Sequence, residues 1–197
     1  MNGAPLLGLV VTGLAVMGSP GPSTVSLVAV TAAYGLRPAI AYCVGLIVGT
    51  TVVLLAVATG MTALLLALPL LRWVLLALAV AYILELAVRL ARSSSIGGHR
   101  VHDRRPSVVG GLVLGALNPK AWVAIGAVFV GARLAAGPVL DAMLKVLVLT
   151  VLIVVVHVGW LAAGRLLEPL LRTPRRARAV NITLAGMLVL AMIPVVA

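Results

Sequence analysis

Residues 14–23 read Leu-Ala-Val-Met-Gly-Ser-Pro-Gly-Pro-Ser, and this stretch interrupts an otherwise apolar first segment. Pro20 and Pro22 remove two backbone donors and clash with preceding carbonyl groups, and Gly21 adds backbone freedom. A continuous helix cannot pass through these residues. Irregular backbone at membrane depth is tolerated only where it is buried in protein or faces a water-filled cavity. We therefore expect these three residues and Ser23 to surround such a cavity, with a simple proline kink as the alternative.

The composition around this stretch indicates the class of protein. Of the 197 residues, 63% are hydrophobic and 10% are charged, and the mean hydropathy is +1.25. A soluble domain carries roughly 25% charged residues, so this chain lacks the polar residues needed to cover a soluble globule. Helices satisfy their backbone groups internally and can lie in lipid. The sequence predicts an all-α membrane protein in contact with the lipid bilayer.

The apolar stretches give the number of crossings, since a helix needs about 20 residues to cross the hydrocarbon core. Six stretches qualify, near 5–33, 38–59, 70–91, 108–130, 139–163 and 179–196. Residues 60–69 are too few to span and are expected at the membrane surface. No positive charge precedes Arg37, so we expect the first segment to be retained and not cleaved as a signal peptide.

The net charge of +11 alternates between the connections. The first, third and fifth connections contain Arg37, Arg89, Arg92, Arg100, Arg104, Arg105, Arg165, Arg172, Arg175, Arg176 and Arg178. The second and fourth contain only Arg72, Arg133 and Lys145. Cytoplasmic loops carry the excess of positive charge, so we expect a multi-pass protein of the bacterial cytoplasmic (inner) membrane with both termini extracytoplasmic. This rule explains the charge without a nucleic-acid partner.

The longest polar stretch, a predicted cytoplasmic loop over about 93–106, divides one transmembrane domain over 1–197 into two halves. Three segments lie in each half, about 1–92 and about 107–197, and an odd number inverts the second half relative to the first. The sequence therefore predicts about six transmembrane helices as two inverted three-helix repeats with broken first helices. This architecture is typical of secondary transporters.

A weak internal similarity supports a duplication. Pro22 is followed by Gly35-Leu-Arg37, and Asn118 is followed at the same offset by Gly131-Ala-Arg133. Each half would then begin with a broken helix that ends in Gly-x-Arg.

The second break is predicted at Asn118-Pro119-Lys120. Asn is a good N-cap and Pro is favoured at the first helical position, so a new half-helix should start at Pro119. Lys120 then lies in the first turn, where the helix dipole disfavours a cation. An intramembrane charge is a functional hypothesis by default, and Lys120 could hold a substrate carboxylate at this half-helix N-terminus. The alternative is that Lys120 extends to the cytoplasmic interface.

Two further ionisable residues are candidates for coupling to a proton. His157 lies in the fifth segment, and histidine is the side chain that ordinarily titrates near neutral pH, although a lone membrane histidine more often makes one interhelical hydrogen bond. Glu85 lies one turn from Arg89 in the third segment, and an ion pair between them is the simpler explanation.

Other motifs carry less functional information. Two GxxxG patterns, Gly45 to Gly49 and Gly111 to Gly115, permit close helix approach. His99, His102 and Asp103 lie in the basic loop, whose arginines repel cations, and Cys43 is the single cysteine. We therefore expect no metal site, no disulfide and no cofactor. The sequence shows no zinc-ligand pair on one helix, no G-x-S-x-G and no carboxylate dyad, so an enzyme is disfavoured.

Taken together, these motifs resemble a known family. Met17-Gly-Ser-Pro-Gly-Pro22 and Gly111-Leu-Val-Leu-Gly-Ala-Leu-Asn-Pro-Lys-Ala121 are similar to the signatures of the two halves of LysE-type translocators, which include the homoserine/threonine resistance exporters. Residues 160–166, Pro174-Arg-Arg176 and Gly186 resemble the C-terminal third of that family.

This resemblance implies export of amino acids or related small metabolites in exchange for a coupling ion, expected to be the proton. It also implies that Pro20, Gly21, Pro22, Ser23, Asn118, Pro119 and Lys120 line the substrate path. The chain departs from the common family pattern in having Ser23 after Pro-Gly-Pro, His157 where an acidic residue is frequent, and no Pro-Gln-Phe after the Asn-Pro-Lys helix. The remaining alternatives are translocation of a metal ion or envelope lipid, or a non-transporting subunit of a membrane complex. Monomer and homodimer both stay open.

Overall fold

The computed structural model of the chain describes residues 3–60, 69–92, 106–167 and 174–190. Within these ranges the chain forms eight helices and no strand. In chain order the helices are α1 (Gly3–Gly18), α2 (Pro22–Tyr34), α3 (Leu36–Ala58), α4 (Pro69–Arg92), α5 (Val108–Leu117), α6 (Pro119–Val130), α7 (Pro138–Leu167) and α8 (Pro174–Leu190). The predicted all-helical class is confirmed for this part of the chain.

Both predicted helix breaks are present. α1 and α2 meet at 61° across Ser19-Pro20-Gly21, and α5 and α6 meet at 57° across Asn118. The second half-helix begins at Pro119, as the sequence predicts. The first bend contains two prolines and the second an Asn-Pro step, so neither pair forms one continuous helix.

Two of the described helices, α3 and α7 over Pro138–Leu166, are long and apolar enough to cross a bilayer. Each bent pair adds one more candidate if its halves cross as a single broken span, which gives two to four candidates within the described residues. Each of the six predicted segments overlaps a described helix or bent pair. The count of six spans and their inverted arrangement stay predictions, and residues 61–68 and 93–105 lie outside the described residues.

The helix α2 forms the centre of the bundle. It packs against α3, α4, α7 and α8, and every residue from Pro22 to Ala33 is buried. Its side chains are mostly small, which allows the surrounding helices to approach. Its hydroxyl groups find local acceptors: Ser26 Oγ donates to Ser23 O at 2.8 Å and Thr31 Oγ1 donates to Leu27 O at 2.7 Å. Ser26 and Thr31 can therefore occupy the interior without leaving their hydroxyl groups unpaired.

The two GxxxG patterns pack against each other and join the two halves of the chain. Gly45 and Gly49 of α3 face the backbone of α5, and Gly111 and Gly115 of α5 face the backbone of α3. A Cβ atom at Gly115 would lie 2.7 Å from the Leu46 carbonyl oxygen, and the other three glycines leave even less room. The predicted close approach is confirmed, and we call this contact the glycine seam.

Candidate functional site

The first break is an extended turn between α1 and α2. Ser19 Oγ donates to Val16 O at 2.8 Å, which satisfies one carbonyl in the last turn of α1. Gly21 has φ −166° and precedes Pro22 at the first helical position of α2. Thr24 Oγ1 accepts from Gly21 N–H at 2.8 Å, so the turn is tied to the first turn of α2.

The second break is closed by its own neighbours. Asn118 is the N-cap of α6, and its Oδ1 accepts from the Lys120 backbone N–H at 3.1 Å, which confirms the predicted capping role. Trp122 Nε1 donates to Ala116 O at 2.9 Å and so satisfies a carbonyl at the C-terminal end of α5. Both contacts come from within six residues of their partner.

The structure brings the two breaks together. Asn118 Nδ2 donates to Ser23 Oγ at 2.7 Å, although the two residues are 95 positions apart. Both side chains are buried, each only 5% exposed. The residues that the sequence predicts for the substrate path therefore share one location at the meeting point of α2 and α6.

The Lys120 ammonium crosses from the second break to the first. Its Nζ donates to Ser19 Oγ at 2.8 Å, to Pro20 O at 3.0 Å and to Ser19 O. The side chain passes directly beside Gly21, where a Cβ atom would lie 2.6 Å from Lys120 Cδ. Lys120 thus points into the bundle in this conformation, and its partners are backbone and hydroxyl oxygens of the first half.

Trp160 of α7 also binds the first break, and our candidate site residues did not include it. Its Nε1 donates to Gly18 O at 3.1 Å, across 142 positions in the chain. A tryptophan within an apolar segment, three residues after His157, is the signal that could have suggested it, since a buried indole N–H needs an acceptor.

A small cavity of about 40 Å³ lies between the two breaks and α7. Its lining includes Ser23, Thr50, Asn118, Lys120 and His157. The sequence interpretation missed Thr50. Its signal is a hydroxyl group directly after Gly49 in an apolar helix.

The His157 side chain belongs to the lining of this cavity and is buried. Nδ1 lies 2.7 Å from Ile153 O, and because a carbonyl oxygen only accepts, Nδ1 carries a proton. In the neutral ring Nε2 is therefore an acceptor, and no described side chain or backbone group pairs with it. Thr50 Oγ1 is likewise buried without a described partner. Two residues of the cavity lining thus each have a buried polar atom without a described partner.

The other predicted coupling residue lies elsewhere. Glu85 is exposed on α4 and is not part of the cavity wall. The side chain of Arg89 is outside the described residues, and so are His99, His102 and Asp103. Among the described residues no three His, Cys, Asp or Glu side chains are grouped as metal ligands.

Comparison with known proteins gives one clear result. The sequence model of the family described as LysE type translocator matches residues 6–195, nearly the whole chain. No curated protein and no solved structure gives a significant match.

Proposed function

The chain belongs to the LysE type translocator family, and from this premise we propose that it is a secondary active exporter of amino acids or related small metabolites. Family membership and the apolar helices make it a multi-pass membrane transporter of small molecules. The proposal adds location in the bacterial cytoplasmic membrane, outward direction and exchange with protons. It assigns the protein no chemical conversion and no cofactor.

The contact between the two helix breaks is the observation that carries this proposal. Transporters built from repeats bind solutes where broken helices meet, and the half-helix ends face the solute charges. Here the C-terminal end of α1 and the N-terminal ends of α2 and α6 converge around Ser23 and Asn118. An amino acid suits this place because its ammonium group matches a helix C-terminus and its carboxylate matches a helix N-terminus.

The cavity is too small for an amino acid, and we assign this conformation to a stage of the proposed cycle without bound solute. A volume of about 40 Å³ admits about one water molecule. An amino acid can therefore enter only after the two breaks separate. In the proposed cycle, separation on the cytoplasmic side admits the solute, and separation on the other side releases it.

His157 is the residue that we propose for proton coupling. His157 belongs to the cavity lining and its Nε2 is buried without a described partner, so a proton bound there would change the charge next to the proposed substrate path. One elementary charge crossing 100 mV is worth about 2.3 kcal/mol, which would support a solute gradient of roughly 50-fold. The exposed position of Glu85 gives it no comparable link to the path.

Efflux from proteoliposomes tests the proposal. Vesicles containing the purified protein are loaded with a panel of labelled amino acids, and efflux is measured with and without an imposed pH gradient. We expect gradient-dependent efflux of at least one amino acid, lost in Lys120→Ala. Lys145→Ala is the matched control, because Lys145 is the other lysine of the chain and pairs with Asp141 at 2.7 Å, apart from the cavity wall.

The outcome separates the function classes. Efflux that survives in Lys145→Ala, per molecule of folded protein, and disappears in Lys120→Ala supports the exporter. No efflux of any panel member by folded protein overturns it and favours a metal ion, an envelope lipid or a non-transporting role.

A further inference from the structure

The first break collects oxygen atoms at the C-terminal end of α1. The carbonyl oxygens of Ser19 and Pro20 and the hydroxyl of Ser19 all lie within hydrogen-bonding distance of one nitrogen, Lys120 Nζ. The C-terminal end of a helix carries partial negative charge. An oxygen cluster at this end favours a cation, as unwound carbonyls do in transporters with broken helices.

Lys120 fills this cluster completely. An ammonium group has three donors and no acceptor, and each of the three donors has an oxygen partner in the first break. No N–H of Lys120 is then left for a substrate carboxylate in this conformation. The predicted role of Lys120 as a carboxylate ligand therefore requires that it first leave the first break.

The position of Lys120 on its own helix explains why it reaches across. In the first turn of α6 the helix dipole disfavours a cation, whereas the end of α1 favours one. Gly21 leaves room for the alkyl chain to pass, since any Cβ there would collide with it. The favourable electrostatic interaction of the ammonium with the end of α1 thus offsets its unfavourable interaction with the start of α6.

We propose that these three oxygens form a binding site for a primary ammonium group, and that Lys120 is its tethered occupant in this conformation. When Lys120 withdraws, the ammonium group of the substrate takes its place, and Lys120 becomes free to pair with the substrate carboxylate. The exchange keeps one positive charge at the end of α1 throughout. The binding site stands on the geometry alone, whereas its use by a substrate rests on the proposed exporter function.

Removing the tethered occupant should open the site to a free cation. In detergent-solubilised Lys120→Met, we expect methylammonium to raise Tm by about 3–6 °C at ten times its Kd. Tetramethylammonium, which has no N–H donor, should have no effect, and methylammonium should leave wild type unchanged because Lys120 competes. Intrinsic tryptophan fluorescence, to which Trp160 at the same break contributes together with Trp73 and Trp122, can follow the titration.

Sodium and potassium ions, as chlorides, form the other arm, since carbonyl oxygens also bind alkali cations. Stronger stabilisation by methylammonium than by either ion supports an ammonium site, and stabilisation by an alkali ion alone overturns that assignment. The site itself is overturned if methylammonium stabilises wild type and Lys120→Met equally. It is also overturned if methylammonium, sodium and potassium all fail to stabilise Lys120→Met.

Two further variants keep the test decisive. Ser19→Ala in the Lys120→Met background removes one of the three oxygens and should weaken methylammonium binding about tenfold. If Lys120→Met does not fold, Lys120→Ala removes the ammonium with a shorter side chain and should acquire the same sensitivity to methylammonium. All of these measurements are independent of efflux, so binding without transport would contradict the exporter proposal and leave the site intact.

Discussion

The first helix break receives side chains from the other half of the chain in addition to the local contacts of Ser19 and Thr24, whereas the second break is closed mainly by residues next to it. At the second break, Asn118 caps α6 and Trp122 binds Ala116 O. At the first, Trp160 and Lys120 bind carbonyl oxygens at positions 18–20. Two breaks of similar bend therefore differ in how far the donors to their carbonyl groups lie along the chain.

The helices that follow the two breaks differ in the same sense. α2 is buried along its length, whereas α6 has exposed side chains such as Val123 at 73% and Val130 at 84%. The first break is thus fixed at the centre and depends on Lys120 from a helix at the rim. A shift of α6 would withdraw the Lys120 ammonium from the first break and leave the cap of α6 by Asn118 in place, because that contact lies within α6.

The largest effect of a substitution is expected at the glycine seam, where α5, the helix before the second break, packs against α3. Gly111→Ala places a methyl group against the Tyr42 carbonyl, and backbone cannot yield as a side chain can. We expect a loss of stability on the order of 3 kcal/mol, measured as the yield and melting temperature of purified protein. Gly126→Ala in α6 meets nothing within 4 Å and should gain about 0.5–1 kcal/mol. Equal behaviour of the two variants would contradict a fixed α5.

Gly21→Ala separates the first break from its ammonium. The new methyl group would lie 2.6 Å from Lys120 Cδ, and the flexible lysine must move away. We expect efflux to fall roughly 5- to 150-fold, equivalent to 1–3 kcal/mol, with a smaller change in melting temperature. Gly18→Ala is the control, because its Cβ would lie at an ordinary 3.8 Å from Val156 Cγ2. Equal efflux by both variants would show that the lysine position has no role in transport.

The hydrogen bond between Asn118 and Ser23 is the direct link between the breaks. A double-mutant cycle with Asn118→Ala and Ser23→Ala should give a coupling energy of about 0.5–1.5 kcal/mol in chemical unfolding. Asn118→Ala alone should cost about 1 kcal/mol more than Ser23→Ala, since it also removes the N-cap of α6. Additive effects in the cycle would mean that the two breaks are energetically independent.

The two tryptophans give the finest comparison. Trp160→Phe and Trp122→Phe each delete one indole donor to a helix-terminal carbonyl, so each should cost about 0.5–1.5 kcal/mol of stability. Only Trp160 reaches the first break from another helix, so only Trp160→Phe should also reduce efflux. The comparison between the breaks fails if Trp122→Phe reduces efflux equally.

Much of this arrangement could be predicted from single residues. The positions of the breaks follow from the local backbone chemistry of Pro20, Pro22 and Pro119. The capping role of Asn118 likewise follows from its residue type and its place before Pro119. The partners of Lys120 could not be predicted, because they depend on which helix ends face each other. The places of Thr50 and Trp160 in the site could not be predicted either, because they depend on how α3 and α7 pack beside the breaks.

The glycine seam also has a mechanical consequence. Side chains between helices form a compliant layer that permits sliding, and α3 and α5 lack this layer where their backbones touch. We therefore expect α3 and α5, one from each half of the chain, to move together as one rigid unit. Rocking of one half against the other as separate rigid bodies would have to break this contact, so in the proposed transport cycle we expect the 57° elbow between α5 and α6 to take up the motion.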